Sequence, residues 1–186
     1  MRWASVTTRG MAIVLLALAS AGGTAHGDDA GALELAVKST YLYKFQPFVT
    51  WPDQAFPSPT SPFNLCIVGD DPFGAVIDRA IAGQSAGPHA MAVVRLRTAA
   101  PDVHCQIMYV GTHDPQTALQ SLAAVRGMPV LTVTDSTHDA AAKGIINFVI
   151  VENRVRFEID TEAAMRNGLS ISSKLLSLAL SVGPVP

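Results

Sequence analysis

The sequence has 186 residues, of which 13 are Lys or Arg and 15 are Asp or Glu, so its formal net charge at pH 7 is −2. A chain with this balance has no basic excess that would attract nucleic acid through counterion release. Its length suits one domain with a substantial hydrophobic core.

The N-terminus has the pattern of a secretory signal peptide. Arg2 and Arg9 form a basic segment, and the apolar run at residues 11–19 is too short to span a bilayer. Ala25-His26-Gly27 then fits the small-residue pattern of a cleavage site. We predict a signal peptide in residues 1–27, cleaved near Gly27 with Ala25 as the alternative site. One exported domain then follows in residues 28–186, with no membrane insertion after cleavage.

The first part of this domain combines a helix with an irregular segment. Residues 33–48 have apolar side chains at helical spacing, and Pro47 is expected to end that helix. Residues 49–51 look extended, and the proline-rich residues 53–62 predict a loop. The aromatic residues of this region are Tyr41, Tyr43, Phe45, Phe48 and Trp51. Their spacing favours a role in the core, with a partner or dimer surface as the alternative.

A strand, a turn and a helix follow. Residues 63–68 have the length and composition of a buried strand, and Gly69, Asp70 and Asp71 turn the chain. Asp71 is the predicted N-cap and Pro72 the first residue of a helix that runs through residue 82. The turn resembles a ligand loop at the carboxyl end of a strand. Because it lacks a phosphate-binding glycine motif, turn formation is favoured over ligand binding.

The middle of the chain alternates strands with helices, which indicates βαβ units. The predicted elements are a loop at residues 83–90, strands at 91–97 and 106–110, a helix to about residue 126 and a strand at 128–133. Thr112 or Asp114 is expected to cap this helix.

The last third of the chain predicts a helix, a hairpin and two more helices. The elements are a short helix at residues 135–143, strands at 145–151 and 155–159 joined by residues 152–154, a helix to residue 167 and a final helix from Ser170. This last helix would place Ile171, Leu175, Leu178 and Val182 on its apolar stripe. The three-residue gap suits an antiparallel hairpin.

Together these elements predict an α/β fold with three layers. Alternating strands and helices favour a mostly parallel central sheet with helices on both faces. The late antiparallel hairpin extends this sheet, and the crossovers should be right-handed.

Cys66 and Cys105 are the two cysteines of a chain that is predicted to reach an oxidising compartment. This context favours a disulfide over two free thiols. Closing the loop between them should stabilise the fold by about 4 kcal/mol. A structural bridge is the preferred interpretation, and a regulatory bridge is the alternative.

The motifs expected of an enzyme are missing from the sequence. We find no nucleophile elbow, no histidine pair at metal-ligand spacing and no cofactor motif, so we predict no catalytic residue, metal or cofactor. Arg154, Arg156 and Lys174 are candidates for a polar contact surface, although solvated charge is the favoured interpretation.

Several segments, taken in order, carry a resemblance to one family. They are Tyr41-Leu42-Tyr43-Lys44-Phe45 with Val49-Thr50-Trp51-Pro52, FNLCIVGDDPFG from Phe63, HCQIMYVG from His104, PVLTVTD from Pro129, and the stretch from Gly144 to Ala179. This pattern resembles the YfiR-like family of bacterial periplasmic proteins, and it covers nearly all of the predicted mature chain.

The resemblance implies a periplasmic α/β domain that is often dimeric. It also implies that the protein inhibits an inner-membrane diguanylate cyclase of the YfiN type by contacting the periplasmic portion of that enzyme. Such inhibition would keep cyclic-di-GMP low and suppress biofilm formation. Redox state and small molecules are the inputs that the family suggests. Some relatives have a second cysteine pair, which this chain lacks.

Three functions compete at this stage. The first is a regulatory binding protein that restrains a membrane diguanylate cyclase or another sensor protein, as the resemblance implies. The second is a periplasmic module for small-molecule binding or transport, with its ligand at the sheet edge near Asp70. An enzyme ranks last because no nucleophile or acid–base pair stands out.

Overall fold

The computed structural model describes residues 26–100, 102, 104–135 and 142–184, together with Met1. The helices in these segments are α1 (His26–Lys44), α2 (Ala75–Ile81), α3 (Pro115–Ala124), α4 (Thr161–Arg166) and α5 (Ser173–Leu176). In the described part of the chain, no helix has the length and apolar character needed to cross a membrane.

The strands are β1 (Val49–Thr50), β2 (Phe63–Val68), β3 (Ser85–Ala86), β4 (His89–Leu96), β5 (Ile107–Val110), β6 (Leu131–Asp135), β7 (Ile146–Val151), β8 (Arg154–Ile159), β9 (Ser170–Ile171) and β10 (Ser181–Val182). Eight of them form one sheet in the order β10-β8-β7-β6-β5-β2-β4-β3, and β1 pairs with β9 in a small second sheet.

The centre of the large sheet is parallel. Each neighbouring pair in the series β4-β2-β5-β6-β7 is parallel, whereas β7 and β8 form an antiparallel hairpin and β3 pairs antiparallel with β4. This series is the strand order of doubly wound sheets, with a switch point between β2 and β5. The predicted mostly parallel sheet with a late hairpin is confirmed.

The two faces of the sheet bury separate hydrophobic clusters, as the alternation of side chains along a strand requires. In β2, Leu65 and Ile67 belong to the larger cluster, whereas Cys66 and Val68 belong to the smaller one. Leu42 of α1, Phe45 just after α1, and Ile77 and Ile81 of α2 belong to the larger cluster. α3 contributes Ala118 to the smaller cluster. Helices therefore cover both faces, which confirms the predicted three layers.

Two helices begin at other positions than the sequence indicated. α1 begins seven residues before the predicted start at residue 33 and ends at Lys44, because Pro47 lies in a separate turn at Gln46–Phe48. α2 begins at Ala75, so the prediction that Asp71 is its N-cap was wrong. The Asp71 carboxylate instead accepts hydrogen bonds from the backbone N–H groups of Phe73 and Gly74 at 2.8 and 3.0 Å.

The predicted final helix was also wrong. Ser172 caps α5 by accepting a hydrogen bond from the backbone N–H of Leu175 at 3.3 Å, and this helix has only four residues. The chain then becomes extended as β10, whose neighbour Leu180 donates a backbone hydrogen bond to the Phe157 carbonyl at 2.8 Å. Pairing with β8 supplies backbone partners that outweigh the helical pattern of the sequence.

Smaller differences affect other boundaries. β6 is shifted toward the C-terminus of the predicted strand and ends at Asp135, and the predicted loop at 83–90 contains β3. The hairpin turn has two residues, Glu152 and Asn153, both at positive φ (49° and 58°), so Arg154 already belongs to β8. Of the predicted helix at 135–143, residues 136–141 lie outside the described residues.

Candidate functional site

An open groove separates α1 from the β7–β8 hairpin. Its volume is about 570 Å³, and its apolar lining comes from both elements. Leu33, Val37 and Tyr41 contribute from α1, while Ile150 and Val155 contribute from the hairpin. Leu33 is 67% exposed and Ile150 is 37% exposed, so this apolar surface faces solvent.

Positive charge borders the groove. Arg154 and Arg156 line it from β8, and neither guanidinium has an ion-pair partner among the described residues. Glu34 lies on the opposite side, on α1, and its carboxylate is engaged by Lys38. The groove therefore combines an apolar lining with two available cations, which is the composition of a binding surface.

A buried ion cluster lies beneath α1, beside the groove. Lys38 is 1% exposed, and its Nζ donates to the carboxylates of Glu34 and Asp135. Asp135 is buried at the carboxyl end of β6, so this contact attaches α1 to the sheet. Breaking a buried ion pair by removing one partner is strongly destabilising, so the contact between Lys38 and Asp135 holds α1 in place on the sheet.

Tyr109 is a second buried polar group at the carboxyl end of the sheet. Its ring packs edge-on against Phe73 at 4.9 Å, and its Oη has no hydrogen-bond partner among the described residues. Burial raises the pKa of the Tyr109 hydroxyl, and the carboxylates of Asp135, Glu34 and Asp71 raise this pKa further. The hydroxyl is therefore protonated throughout the physiological pH range.

The predicted ligand loop lies at the switch point between β2 and β5. Gly69 adopts φ 83°, and a Cβ on Gly111 would lie 2.4 Å from the Asp70 carbonyl oxygen. The loop after β2, which contains Asp70, is therefore in close contact with the loop after β5, which contains Gly111. Asp71 is committed to its turn and to the Arg95 guanidinium, which lies 2.7 Å from its carboxylate. These contacts favour the turn-making role, and ligand binding by Gly69, Asp70 and Asp71 stays a prediction.

Arg95 ties this turn to α2. Its guanidinium also contacts Asp78 at 2.9 Å, and this hydrogen bond lowers the pKa of the Asp78 carboxyl group. Both side chains are about half exposed, so the pair contributes little to stability.

The predicted interface residues fall into two groups. Tyr41, Arg154 and Arg156 line the groove, whereas Tyr43, Trp51 and Lys174 are not among its lining residues. The Tyr41 ring also contacts core rings, with centroids 5.9 Å from Phe45, 6.1 Å from Phe148 and 5.5 Å from Phe157.

The second group makes contacts within the domain. Trp51 Nε1 donates to the Gln106 carbonyl at 3.1 Å, and its ring packs edge-on against Phe63 at 5.1 Å. The ammonium of Lys174 lies 5.8 Å from the centroid of the Phe48 ring, and that of Lys44 lies 5.1 Å from the centroid of the Tyr43 ring. A partner-binding role for these residues stays a prediction.

Cys66 and Cys105 form a disulfide with a Cα–Cα distance of 5.8 Å. Both are buried in the smaller hydrophobic cluster, where the bond links β2 to the segment just before β5. In the described ranges, no group of three or more His, Cys, Asp or Glu residues is arranged to hold a metal ion.

Sequence reasoning missed the ion cluster of Lys38, Glu34 and Asp135, and it missed the buried Tyr109 hydroxyl. Lys38 falls off the apolar stripe of its helix, a position that is typical of polar, solvent-facing side chains. The spacing of four residues between Glu34 and Lys38 was an available signal for their ion pair. The third partner, Asp135, is 97 residues away from Lys38 in sequence, so only the fold brings them together.

The strand order and the groove define a class of protein: a parallel α/β domain with an antiparallel hairpin and an open binding surface beside it. A family model described as YfiR/HmsC-like matches residues 35–180, and the chain belongs to this family. A comparison with curated proteins found no similar sequence. The YfiR/HmsC-like match spans most of the described fold and confirms the resemblance noted in the sequence.

Proposed function

We propose that this protein is a periplasmic regulatory binding protein that restrains an inner-membrane diguanylate cyclase by contacting its periplasmic portion. It acts by binding and not by catalysis. Restraint of the cyclase lowers cyclic-di-GMP and suppresses biofilm formation. Membership of the YfiR/HmsC-like family supports this role, because that family suggests a periplasmic regulator of a diguanylate cyclase.

The observation that carries the proposal in this chain is the groove between α1 and the hairpin. Exposed apolar side chains beside arginines that have no ion-pair partner in the described part of the chain are features of protein interfaces, where arginine is enriched and buried apolar area drives association. The groove therefore gives the proposed regulator a surface for its partner.

The proposal includes the cellular setting of the domain. Residues 1–27 direct export and are removed, and residues 28–186 form one periplasmic domain that acts as a homodimer. N-terminal sequencing of the exported protein checks the cleavage site, and light scattering of the purified domain checks the dimer.

The regulatory role is tested by deleting the gene and measuring cyclic-di-GMP. We expect the level to rise, and we expect the wild-type chain to retain a membrane protein with a diguanylate cyclase domain during co-purification from membranes. An unchanged cyclic-di-GMP level together with no retained cyclase would refute the role.

A redox input is tested in the same co-purification. If the Cys66–Cys105 disulfide is regulatory, reductant should weaken retention of the cyclase. A chain with both cysteines replaced by alanine should then be insensitive to reductant. Equal retention with and without reductant would leave the disulfide with a structural role alone.

A second candidate function is binding of a small molecule without a cyclase partner. The groove volume of about 570 Å³ is within the range of small-molecule sites and favours this alternative. A thermal-shift screen of periplasmic metabolites checks it, because a bound ligand raises the unfolding temperature. Absence of any stabilising compound would count against this function.

A further inference from the structure

The outer edge of β8 is covered along only part of its length. β10 pairs with Glu158 and Ile159, and Leu180 adds a backbone hydrogen bond to the Phe157 carbonyl. Within the described residues, no strand pairs with the Arg154–Arg156 part of this edge. Because outward-pointing backbone groups alternate along a strand, the N–H and C=O of Val155 point outward, as the carbonyl of Phe157 does.

The three residues of this part of the edge, Arg154, Val155 and Arg156, all line the groove. Val155 faces the α1 side of the sheet, where Leu33, Val37 and Ile150 supply the apolar lining. Arg154 and Arg156 alternate with Val155 and belong to the other face of the strand. A strand added here would place every second side chain against α1 and the remaining ones beside the two arginines.

We propose that the Arg154–Arg156 edge of β8 binds an extended segment of a partner protein, in which apolar residues alternate with acidic ones. The apolar side chains enter the groove under α1, and the carboxylates pair with Arg154 and Arg156. Backbone hydrogen bonds to Val155 supply affinity, as in other cases of β-strand addition. This inference rests on the proposed binding function but does not depend on the partner being a cyclase.

The positive charge of Arg154 and Arg156 indicates which kind of partner fits this edge. If a second copy of the chain paired antiparallel across the same edge, the Arg154 and Arg156 side chains of the two copies would face each other. Like charges at opposed positions destabilise a strand pair, and charged edges are a known device against self-association. An acidic partner segment removes that repulsion and neutralises both cations.

The test uses the exported chain without residues 1–27 and a fluorescent peptide of about seven residues that alternates valine with glutamate. A peptide with lysine in place of glutamate is the control. We expect the glutamate peptide to bind about tenfold or more tightly than the lysine peptide at low salt. Binding should also slow hydrogen exchange at the Val155 amide, measured by NMR.

Two pairs of variants locate the site. The double variant Arg154→Glu, Arg156→Glu should reverse the preference, so that the lysine peptide binds more tightly. The control double variant Arg79→Glu, Arg97→Glu makes the same change in charge elsewhere and should still prefer the glutamate peptide. Leu33→Glu should weaken binding of the glutamate peptide. Leu119→Glu, at another exposed helical leucine, should not.

The inference is overturned by equal binding of the two peptides, by no binding of either, or by an unprotected Val155 amide in the bound state. Its failure is distinguishable from failure of the proposed function. If a membrane partner is still retained equally by wild type and by the Arg154→Glu, Arg156→Glu variant, the regulatory role stands and this edge is not the contact. Loss of retention in wild type itself counts against the proposed function.

Discussion

Lys38 has two carboxylate partners in the interior, and one of them, Asp135, lies on the central sheet. The burial of Lys38 shows that a charged residue outside the apolar stripe of a helix can make a structural contact in the interior. We predict that Lys38→Met lowers the free energy of unfolding by about 3–5 kcal/mol, because the buried Asp135 carboxylate would lose its contact with the Lys38 ammonium. Urea denaturation measures this change.

The matched control is Lys44→Met, at the exposed end of the same helix, which should change stability by less than about 0.5 kcal/mol. Combining Lys38→Met with Asp135→Asn should cost less than the sum of the two single changes, because the side chains are coupled. Additive losses would contradict the ion pair.

Tyr109 presents the opposite situation, a buried hydroxyl without a partner among the described residues. Burying an unsatisfied hydroxyl costs about 1–3 kcal/mol, so Tyr109→Phe should be neutral or stabilising at pH 7. Tyr43→Phe, outside the buried core, is the control. A loss of more than about 1 kcal/mol in Tyr109→Phe would mean that the hydroxyl has a partner.

The same residue predicts an alkaline limit to stability. The pKa of Tyr109 is raised by burial above its ordinary value of 10.0, so in the unfolded chain the group ionises first. Stability is therefore lost as the pH rises above the unfolded pKa. Denaturation between pH 8 and 11 should show a smaller loss for Tyr109→Phe than for wild type.

At the scale of elements, Arg95 connects β4 to the turn after β2 and to α2. Its hydrogen bond lowers the pKa of Asp78, so the pair contributes stability above the unfolded pKa, near 3.8, and loses it as the pH falls through the folded pKa. Arg95→Gln should cost no more than about 1 kcal/mol at pH 7, because the pair is exposed.

This cost should shrink toward zero in acid, below the folded pKa of Asp78. Denaturation curves recorded at pH 7 and in acid compare Arg95→Gln with Arg97→Gln, an exposed arginine just after the same strand. A cost for Arg95→Gln that is the same at both pH values would show that the ion pair is not its origin.

For the whole molecule, the disulfide joins segments separated by 39 residues and holds two neighbouring parallel strands of the sheet together. We predict that Cys66→Ala with Cys105→Ala lowers the free energy of unfolding by about 4 kcal/mol, mainly because the unfolded chain is less constrained. Reductant should lower the denaturation midpoint of wild type and leave the variant unchanged. Equal denaturation midpoints for wild type and the variant in the absence of reductant would contradict this estimate.

Local signals in the sequence were sufficient for most of the fold. The apolar run of β2, the proline and aspartate that begin α3, and the alternation of charged and apolar residues in β8 predicted three elements close to their observed positions. Asp114, one of the two N-cap candidates in the sequence, caps α3, and Asp160 caps α4, because these capping hydrogen bonds are made within three residues.

The sequence predictions were wrong where contacts with residues distant in sequence determine the conformation. Leu178 and Leu180 have helical spacing, yet the helix ends at Leu176 and the chain becomes extended at Ser181, because the β8 carbonyls accept backbone hydrogen bonds from Leu180 and Gly183. The groove is also invisible in the sequence, since Leu33 and Arg154 lie far apart in the chain and are brought to one surface only by the packing of α1 on the hairpin.

The sequence by itself determined the α/β class, the predominance of parallel strands, the hairpin and the family, because these depend on local composition, turn residues and short-range spacing. The tertiary structure alone decided which charges are buried and which strand edge is open. Burial and edge exposure depend on contacts between segments as far apart as Lys38 and Asp135, and the free energy of such contacts is set by the three-dimensional arrangement rather than by neighbouring residues.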